Sequence, residues 1–587
     1  MNSTSKVHPA ELARPNCIAI VHDTLTKVFG GAANYWSSLQ VGHRERYSVQ
    51  RLLSFRDYYE RTSPTRVFVV CSASLVPAFA LAVVMECVPL KPPEAGWKAY
   101  YAFWIRLFVS SLPISFGAAF QVLEVIEPDV ISTTGIAVTA VGTCAGYVAL
   151  TMGIAASWKF PVPFGYVFCV PPFVGLYMVL LVLSIGPRVL ARTPVLRRQL
   201  FSQLLIVAAQ AILAIAYPLF SAVFNQLSGM QQSAFVFVLP VLKFCIKEVI
   251  ARMASHLEEC VGLIVVFSVD VCNVVYVAVC MQTAISPLTS VVMLGSDAFF
   301  VMLALRSIYY HAGANHSWRK ERLNGGYLDD LMELIREAFR YANKPNAFPV
   351  PIRVRAPIEL PLSLESARFI SDLVHAKRRN AGEAQSLSVV STRSMSRQEV
   401  KQNFNFGNVD IFPKGPGRVH AISSRSLART NFEEVVRASA RPTTVAPSSN
   451  SVAIADARDA LQTLFHSEYV VMAEFVECAI PILYGVYLTC LYHLPTAAYY
   501  PHTRSMTPEK FKSAQLNFMM YAMVEFVSFA SLSLLLKRKF GFSPLYQLAF
   551  VLETQRGILQ GHFFLWVSWI LQITLVHNGV DLKAPFK

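Results

Sequence analysis

The sequence predicts an all-α membrane protein, a polytopic bundle of about 11 transmembrane helices with one long, partly disordered cytosolic loop. Composition is the first reason, because 54% of the 587 residues are hydrophobic and only 15% are charged. A soluble domain carries about 25% charged residues. Patterning is the second reason, since the charged residues lie between apolar stretches of about 20 residues, the length that crosses a bilayer as a helix.

The net charge of +15 does not indicate a nucleic-acid partner. Lys and Arg cluster beside the apolar stretches, as the cytosolic flanks of membrane spans do. The 11 cysteines show no CxxC pair and no metal-ligand spacing, and most lie in or beside spans, where cysteine acts as a small apolar residue. We therefore expect no nucleic acid, no metal and no cofactor.

The chain divides into four segments. Residues 1–66 are expected to form a cytosolic N-terminal tail that ends in a basic juxtamembrane helix, and residues 67–311 to carry spans 1–8. Residues 312–467 are expected to form a cytosolic loop, partly helical and partly disordered. Residues 468–587 would then hold spans 9–11, with an interfacial helix near 543–557.

The juxtamembrane helix is predicted from a basic and aromatic stretch at 44–66. The apolar residues on one helical face are Leu52, Leu53, Phe55 and Tyr59. This pattern favours a helix on the membrane surface, with Arg51 and Arg56 near anionic headgroups. An ordinary solvated cap on the bundle is the alternative.

The spans follow in order from the apolar stretches. They are predicted at about 67–88, 102–122, 131–155, 162–185, 200–224, 234–254, 260–281, 286–311, 469–492, 516–536 and 563–580. Span 3 carries small residues at alternating spacings of four and three, including Gly142 and Gly146, and such stripes let helix backbones approach closely. We therefore expect span 3 in the middle of the bundle. Span 4 is expected to be kinked or broken at Pro171 and Pro172.

Charges inside the first two spans predict a structural ion pair. Glu86 lies near the end of span 1 and Arg106 near the start of span 2, so the short connection places them at similar depth. Each charge alone would be stranded in lipid, which favours their pairing.

Spans 7 and 8 form a hairpin that carries Asp270 on one arm and Asp297 on the other, at the same distance from the turn. A carboxylate near the bilayer centre costs at least ~2.5 kcal/mol, so such residues face a bundle interior or a wet cavity. Lys243 in span 6 lies at comparable depth and would neutralise one aspartate. Asn273 lies three residues beyond Asp270, on the same helical face, and would add a neutral ligand.

Two further acids complete the candidate ion, proton or substrate site: Glu477 in span 9 and Glu525 near the centre of span 10. The alternative is a buried polar cluster that fixes helix register. Lys247, one turn beyond Lys243, is expected to reach the headgroups instead.

Two stretches resemble a known group of proteins. SPLYQLAFVLE and SVDVCNVVYVAVC are similar to segments of multi-pass transmembrane proteins abundant in oomycetes, and the resemblance covers most of the membrane region. It implies a multi-pass membrane topology and transfers no site residue.

The sequence contains no HExxH, P-loop, GxSxG or GxGxxG motif, so we expect no catalytic residues and no enzyme. The leading hypothesis is a secondary transporter of a small solute with proton or cation coupling. The alternative is a membrane scaffold or signalling receptor whose 312–467 loop binds cytosolic proteins. An intramembrane enzyme acting on lipid is a third. The expected partners are membrane lipids, an unknown small solute or ion, and those cytosolic proteins.

Orientation follows from the basic residues. With eleven spans, the basic stretch at 44–66 and most other Lys and Arg clusters fall on one side, whereas the joins at 225–232 and 282–286 on the other side carry no charge. The positive-inside rule then places the N-terminus and the 312–467 loop in the cytosol and the C-terminus outside.

We predict that protease added to sealed cells leaves residues 380–450 uncut, whereas a tag after Lys587 is accessible to antibody without permeabilisation. Both results follow from the distribution of Lys and Arg. Cleavage within 380–450 in intact cells would invert every inside and outside assignment.

Overall fold

The computed structural model describes residues 41–99, 101–123, 126, 130–283, 326–342, 352–375, 449–504 and 506–579, with scattered positions between 288 and 302. The chain forms two compact units. Unit 1 comprises Met1–Leu331, Ile352–Ile370 and Arg458–Lys587, and unit 2 comprises Met332–Pro351 and Ser371–Ala457. Most of predicted span 8 and residues 376–448, predicted to be disordered, lie outside the described residues.

Every regular element among the described residues is a helix, which confirms the all-α prediction. The main helices are α1 Val49–Arg61, α2 Pro64–Glu86, α3 Tyr101–Leu123, α4 Thr133–Ser157, α5 Gly165–Ile185, α6 Pro194–Phe224, α7 Val238–Met253, α8 Ser255–Met281, α9 Tyr327–Ala342, α10 Ser449–Tyr492, α11 Pro508–Phe540, α12 Pro544–Thr554 and α13 over 556–573.

Eight of these helices are long and apolar enough to cross a membrane: α2–α6, α8, α10 and α11. The protein is therefore an integral membrane protein. The eight correspond to eight of the predicted spans. The helix at predicted span 6, Val238–Met253, has 16 residues, and the one at predicted span 11 ends at Ile573. The count of about 11 stays a prediction.

Helix α8 occupies the centre of unit 1. All of its most apolar stretch is buried, as expected for a helix that is hydrophobic on every face. The expectation that span 3 lies in the middle was wrong. Its helix, α4, exposes Val138 and Val141 on the outside of the bundle. A stripe of small residues requires one close neighbour and does not require burial on all sides.

The small-residue stripe of α4 does face a neighbouring helix. A Cβ added at Gly142 would lie 3.1 Å from Leu180 of α5, and one at Gly146 would lie 3.3 Å from Leu176. Helix α5 consists of two segments, Gly165–Phe168 and Val170–Ile185, and the predicted prolines occupy the first turn of the second. Proline fits this position because its missing N–H has no helical acceptor there.

Helix α1 packs against the bundle, which corrects the expectation for Arg51. The Phe55 ring lies 5.3 Å from that of Phe542, which precedes α12, and 5.6 Å from that of Phe550, which lies within α12. Arg51 is 1% exposed and cannot reach lipid headgroups. The basic pattern suggested a surface helix because sequence alone does not show that α10 supplies a buried partner for this guanidinium.

The polar segment between α8 and α10 contains the predicted helices α9 and, over 364–375, a second one. Part of this segment, Ile352–Ile370, belongs to unit 1 with α1. The carbonyls of Arg353 and Val354 accept hydrogen bonds from the N–H groups of Val49 and Gln50, at 2.9 and 3.0 Å. Unit 2 contains most of α9 and the first residues of α10.

Helices α3 and α13 cross at two glycines. A Cβ added at Gly561 would lie 2.6 Å from the Cα of Gly117, and the atoms it would meet are all backbone. No side-chain rearrangement can relieve such a clash, so any larger residue must move one helix.

We predict that Gly117→Ala and Gly561→Ala each lower the free energy of unfolding by about 1–3 kcal/mol, the usual cost of overpacking. Gly153→Ala in α4 is the matched control, because a Cβ there meets nothing within 4 Å. Thermal unfolding of the three detergent-solubilised variants and the wild type measures the loss of stability. Equal stability of all three variants would show that α3 and α13 can move apart at their crossing without cost.

Candidate functional site

The candidate site lies where α7, α8, α10 and α11 meet, and Asp270 is its centre. This carboxylate is fully buried, and its Oδ1 lies 3.2 Å from Lys243 Nζ and 2.8 Å from Lys247 Nζ. Lys243 and Lys247 are one helical turn apart on α7, so both ammonium groups approach α8 from the same face. Lys247 therefore does not reach the headgroups, as had been expected. It also donates to Tyr469 Oη at 3.1 Å.

Lys243 makes a second ion pair, with Glu477 of α10. Its Nζ donates to Glu477 Oε1 at 2.8 Å while it also contacts Asp270. One ammonium group is thus shared by two buried carboxylates on different helices.

Three carboxyl groups extend the site toward α11. Oxygens of Glu474, Glu477 and Glu525 all lie within 4.8 Å of one another, and all three residues are buried. Glu474 also accepts a hydrogen bond from Ser528 at 2.9 Å. Glu474 and Glu477 are three residues apart on α10, so their side chains lie on one face. This group of oxygens is suited to hold a proton or a hard cation.

The backbone of α8 is irregular beside the site. Val266–Asp270 forms a π-helical turn, and Asp270 is its last residue. Such turns are rare and occur frequently at functional sites.

The structure brings together four of the six predicted site residues: Lys243, Asp270, Glu477 and Glu525. Asn273 lies one turn along α8, and its side-chain oxygen accepts a hydrogen bond from Tyr217 at 3.3 Å. Asp297 lies outside the described residues. The functional role of the whole set stays a prediction.

The predicted Glu86–Arg106 pair is present. Arg106 donates to Glu86 Oε1, and both side chains are almost completely buried. Two tyrosine hydroxyls donate to the same oxygen, Tyr500 at 2.7 Å and Tyr487 at 3.1 Å. The pair therefore connects α2 and α3 with α10 and with the segment that follows it.

Sequence reasoning missed a second buried network, around Arg51. Its guanidinium donates to Glu468 Oε1 at 2.6 Å, and Tyr47 donates to the other oxygen of the same carboxylate. Gln547 in turn donates to Tyr47 Oη at 2.8 Å. Burial raises the pKa of Tyr47 well above its usual value, and the nearby Glu468 charge raises it further. Tyr47 thus stays a neutral donor. The only available signal was Glu468 beside the start of span 9.

No protein-family model, no curated protein and no solved structure matches the chain. The chemistry of the site therefore rests on the contacts within this structure.

We predict that Arg106→Met lowers the free energy of unfolding by about 3–5 kcal/mol, because it leaves Glu86 buried without a counter-charge. The double variant Glu86→Leu/Arg106→Met should regain most of that loss, since no charge then stays buried. Chemical unfolding in mixed micelles measures both variants. The control is Glu60→Gln, which removes a charge from an exposed pair with Arg56. Wild-type stability of Arg106→Met would show that the pair is dispensable.

Proposed function

We propose that the protein is a secondary transporter that couples movement of a small solute to protons or cations at the Lys243–Asp270–Glu477 site. The observation that carries the proposal is the shared position of Lys243, whose Nζ lies 3.2 Å from Asp270 and 2.8 Å from Glu477. Ionisable residues inside membrane spans are costly, and they commonly mark ion pathways and proton relays.

The charge balance supports coupling. Four carboxyl groups face two ammonium groups among Asp270, Glu474, Glu477, Glu525, Lys243 and Lys247. Carboxylates this close repel one another in a medium of low dielectric constant, so a proton or a bound cation among them is stabilising.

The coupling step follows from competition for Lys243. Protonation of Glu477, or a cation at the three glutamates, weakens the ion pair between Lys243 and Glu477. Lys243 then pairs with Asp270 alone, so α7 loses its ion pair to α10, keeps the hydrogen bond from Lys247 to Tyr469 of α10, and stays attached to α8. A change in proton or cation occupancy is thereby converted into a change in helix contacts, which alternating access requires.

We predict that Asp270→Asn and Glu477→Gln abolish proton flux driven by a cation gradient, or reduce it at least about tenfold, equivalent to about 1.4 kcal/mol. Purified protein in liposomes with a trapped pH-sensitive dye is exposed to inward gradients of Na⁺, K⁺, Mg²⁺ or Ca²⁺. Both substitutions keep side-chain size and hydrogen-bonding capacity while removing the ionisable proton.

Glu60→Gln is the control, because its carboxylate is exposed and lies outside the site. Gel filtration of each variant separates loss of transport from loss of folding. The neutral pair Lys243→Met/Glu477→Leu provides a second test, because a purely structural ion pair can be replaced by apolar residues without loss of stability. Wild-type flux in this folded double variant would overturn the proposal.

A further inference from the structure

A second site is formed by a cavity of about 90 Å³ among α3, α4, α5, α6 and α13. Its wall is mainly apolar and includes the aromatic rings of Tyr147, Tyr166 and Trp566. The backbone of Gly117 and Gly561 also lines it. No Asp, Glu, Lys or Arg is among the described residues that line it. Apolar cavities with a few placed polar groups are the usual form of small-ligand sites.

The cavity is accessible from the outer surface of the bundle. Val170, Phe173 and Val174 of α5 and Ala211 of α6 line it and are themselves partly exposed. This outer surface is apolar, with Phe168 68% exposed one turn away on α5. In a membrane such a surface contacts lipid, so a ligand of this cavity would enter from the bilayer.

Two hydrogen-bond donors of the cavity wall, Gln121 Nε2 and Trp566 Nε1, have no partner among the described residues, although the two side chains are only 4% and 1% exposed. A buried donor without an acceptor is destabilising, because it has given up its hydrogen bonds to water and gained none in return. Both donors therefore favour a ligand that presents an oxygen.

The same wall also offers an acceptor. His562 Nδ1 lies 2.8 Å from the Ile558 carbonyl oxygen, so Nδ1 carries the proton and Nε2 is an acceptor. Gln210 therefore donates to His562 Nε2, at 2.9 Å. This bond fixes the orientation of the Gln210 carboxamide and leaves its oxygen as an acceptor. A hydroxyl group matches both kinds of partner, because its oxygen accepts and its proton is donated.

We propose that this cavity binds the head of an uncharged membrane lipid that carries a single hydroxyl group, with the apolar body lying along α5 and α6. The uncharged lining that the described residues give the cavity disfavours phospholipid headgroups, whose phosphate would lose its hydration without a cation partner. A sterol and a diacylglycerol share the required chemistry.

The test uses purified protein in liposomes that contain a photoactivatable sterol or a photoactivatable diacylglycerol. Illumination followed by peptide mapping should label α3, α5 or α13 with one of the two probes, and excess unlabelled lipid should compete. Gln121→Leu removes a donor at similar volume, and we expect it to lower the competable labelling about three- to tenfold. Ala211→Phe, which places a ring at the cavity's edge, should abolish it.

Ile212→Phe is the matched control, because Ile212 is the next residue on α6, is 49% exposed and does not line the cavity. It should label like the wild type. Three results would overturn the proposal: no competable labelling by either probe, equal labelling of the Ala211→Phe and Ile212→Phe variants, or equally strong competition by phosphatidylcholine. Gel filtration confirms that each variant compared is folded.

Discussion

The neutralisation of one buried aspartate constrains the rest of the membrane bundle. Asp270 lies on α8, the helix whose apolar stretch is completely buried. Its carboxylate is therefore not solvated by bulk water. Two lysines of α7 must therefore point inward, although the same helix exposes Val241 on its surface. Helix α7 is thus held with a fixed face toward α8, and α10 is brought in by the second pair of Lys243.

The pairing of a buried carboxylate with basic side chains from another helix occurs elsewhere in the bundle. In two other networks a buried carboxylate is paired with a guanidinium from a different helix, and tyrosine hydroxyls donate to the same carboxylate. Glu86 is held by Arg106 and two tyrosines, and Glu468 by Arg51 and Tyr47. Since an unsatisfied polar group is so costly in lipid, these networks specify which helices are neighbours, while the apolar contacts between them are less selective.

The sequence was sufficient where an interaction is local in the chain or must occur within the bilayer. Long apolar stretches identified the eight long helices, and a short connection predicted Glu86 beside Arg106. Depth counting also placed Lys243 level with Asp270. It failed where a partner comes from a distant segment. Nothing near Arg51 indicates that Glu468 will bury it, and the small-residue stripe of α4 does not reveal how many helices surround it.

The π-helical turn at Val266–Asp270 allows α8 to change its helical geometry at one position, which a regular helix cannot do. This turn accommodates one residue more than an α-helical turn. Each residue of an α-helix corresponds to about 100° of rotation, so conversion of the turn to α geometry would rotate one half of α8 against the other by that angle. Asp270 stands at the joint. An exchange of a few backbone hydrogen bonds would therefore turn its carboxylate from one direction to another. The π-helical turn thus acts as a rotary joint whose rotation has a fixed size.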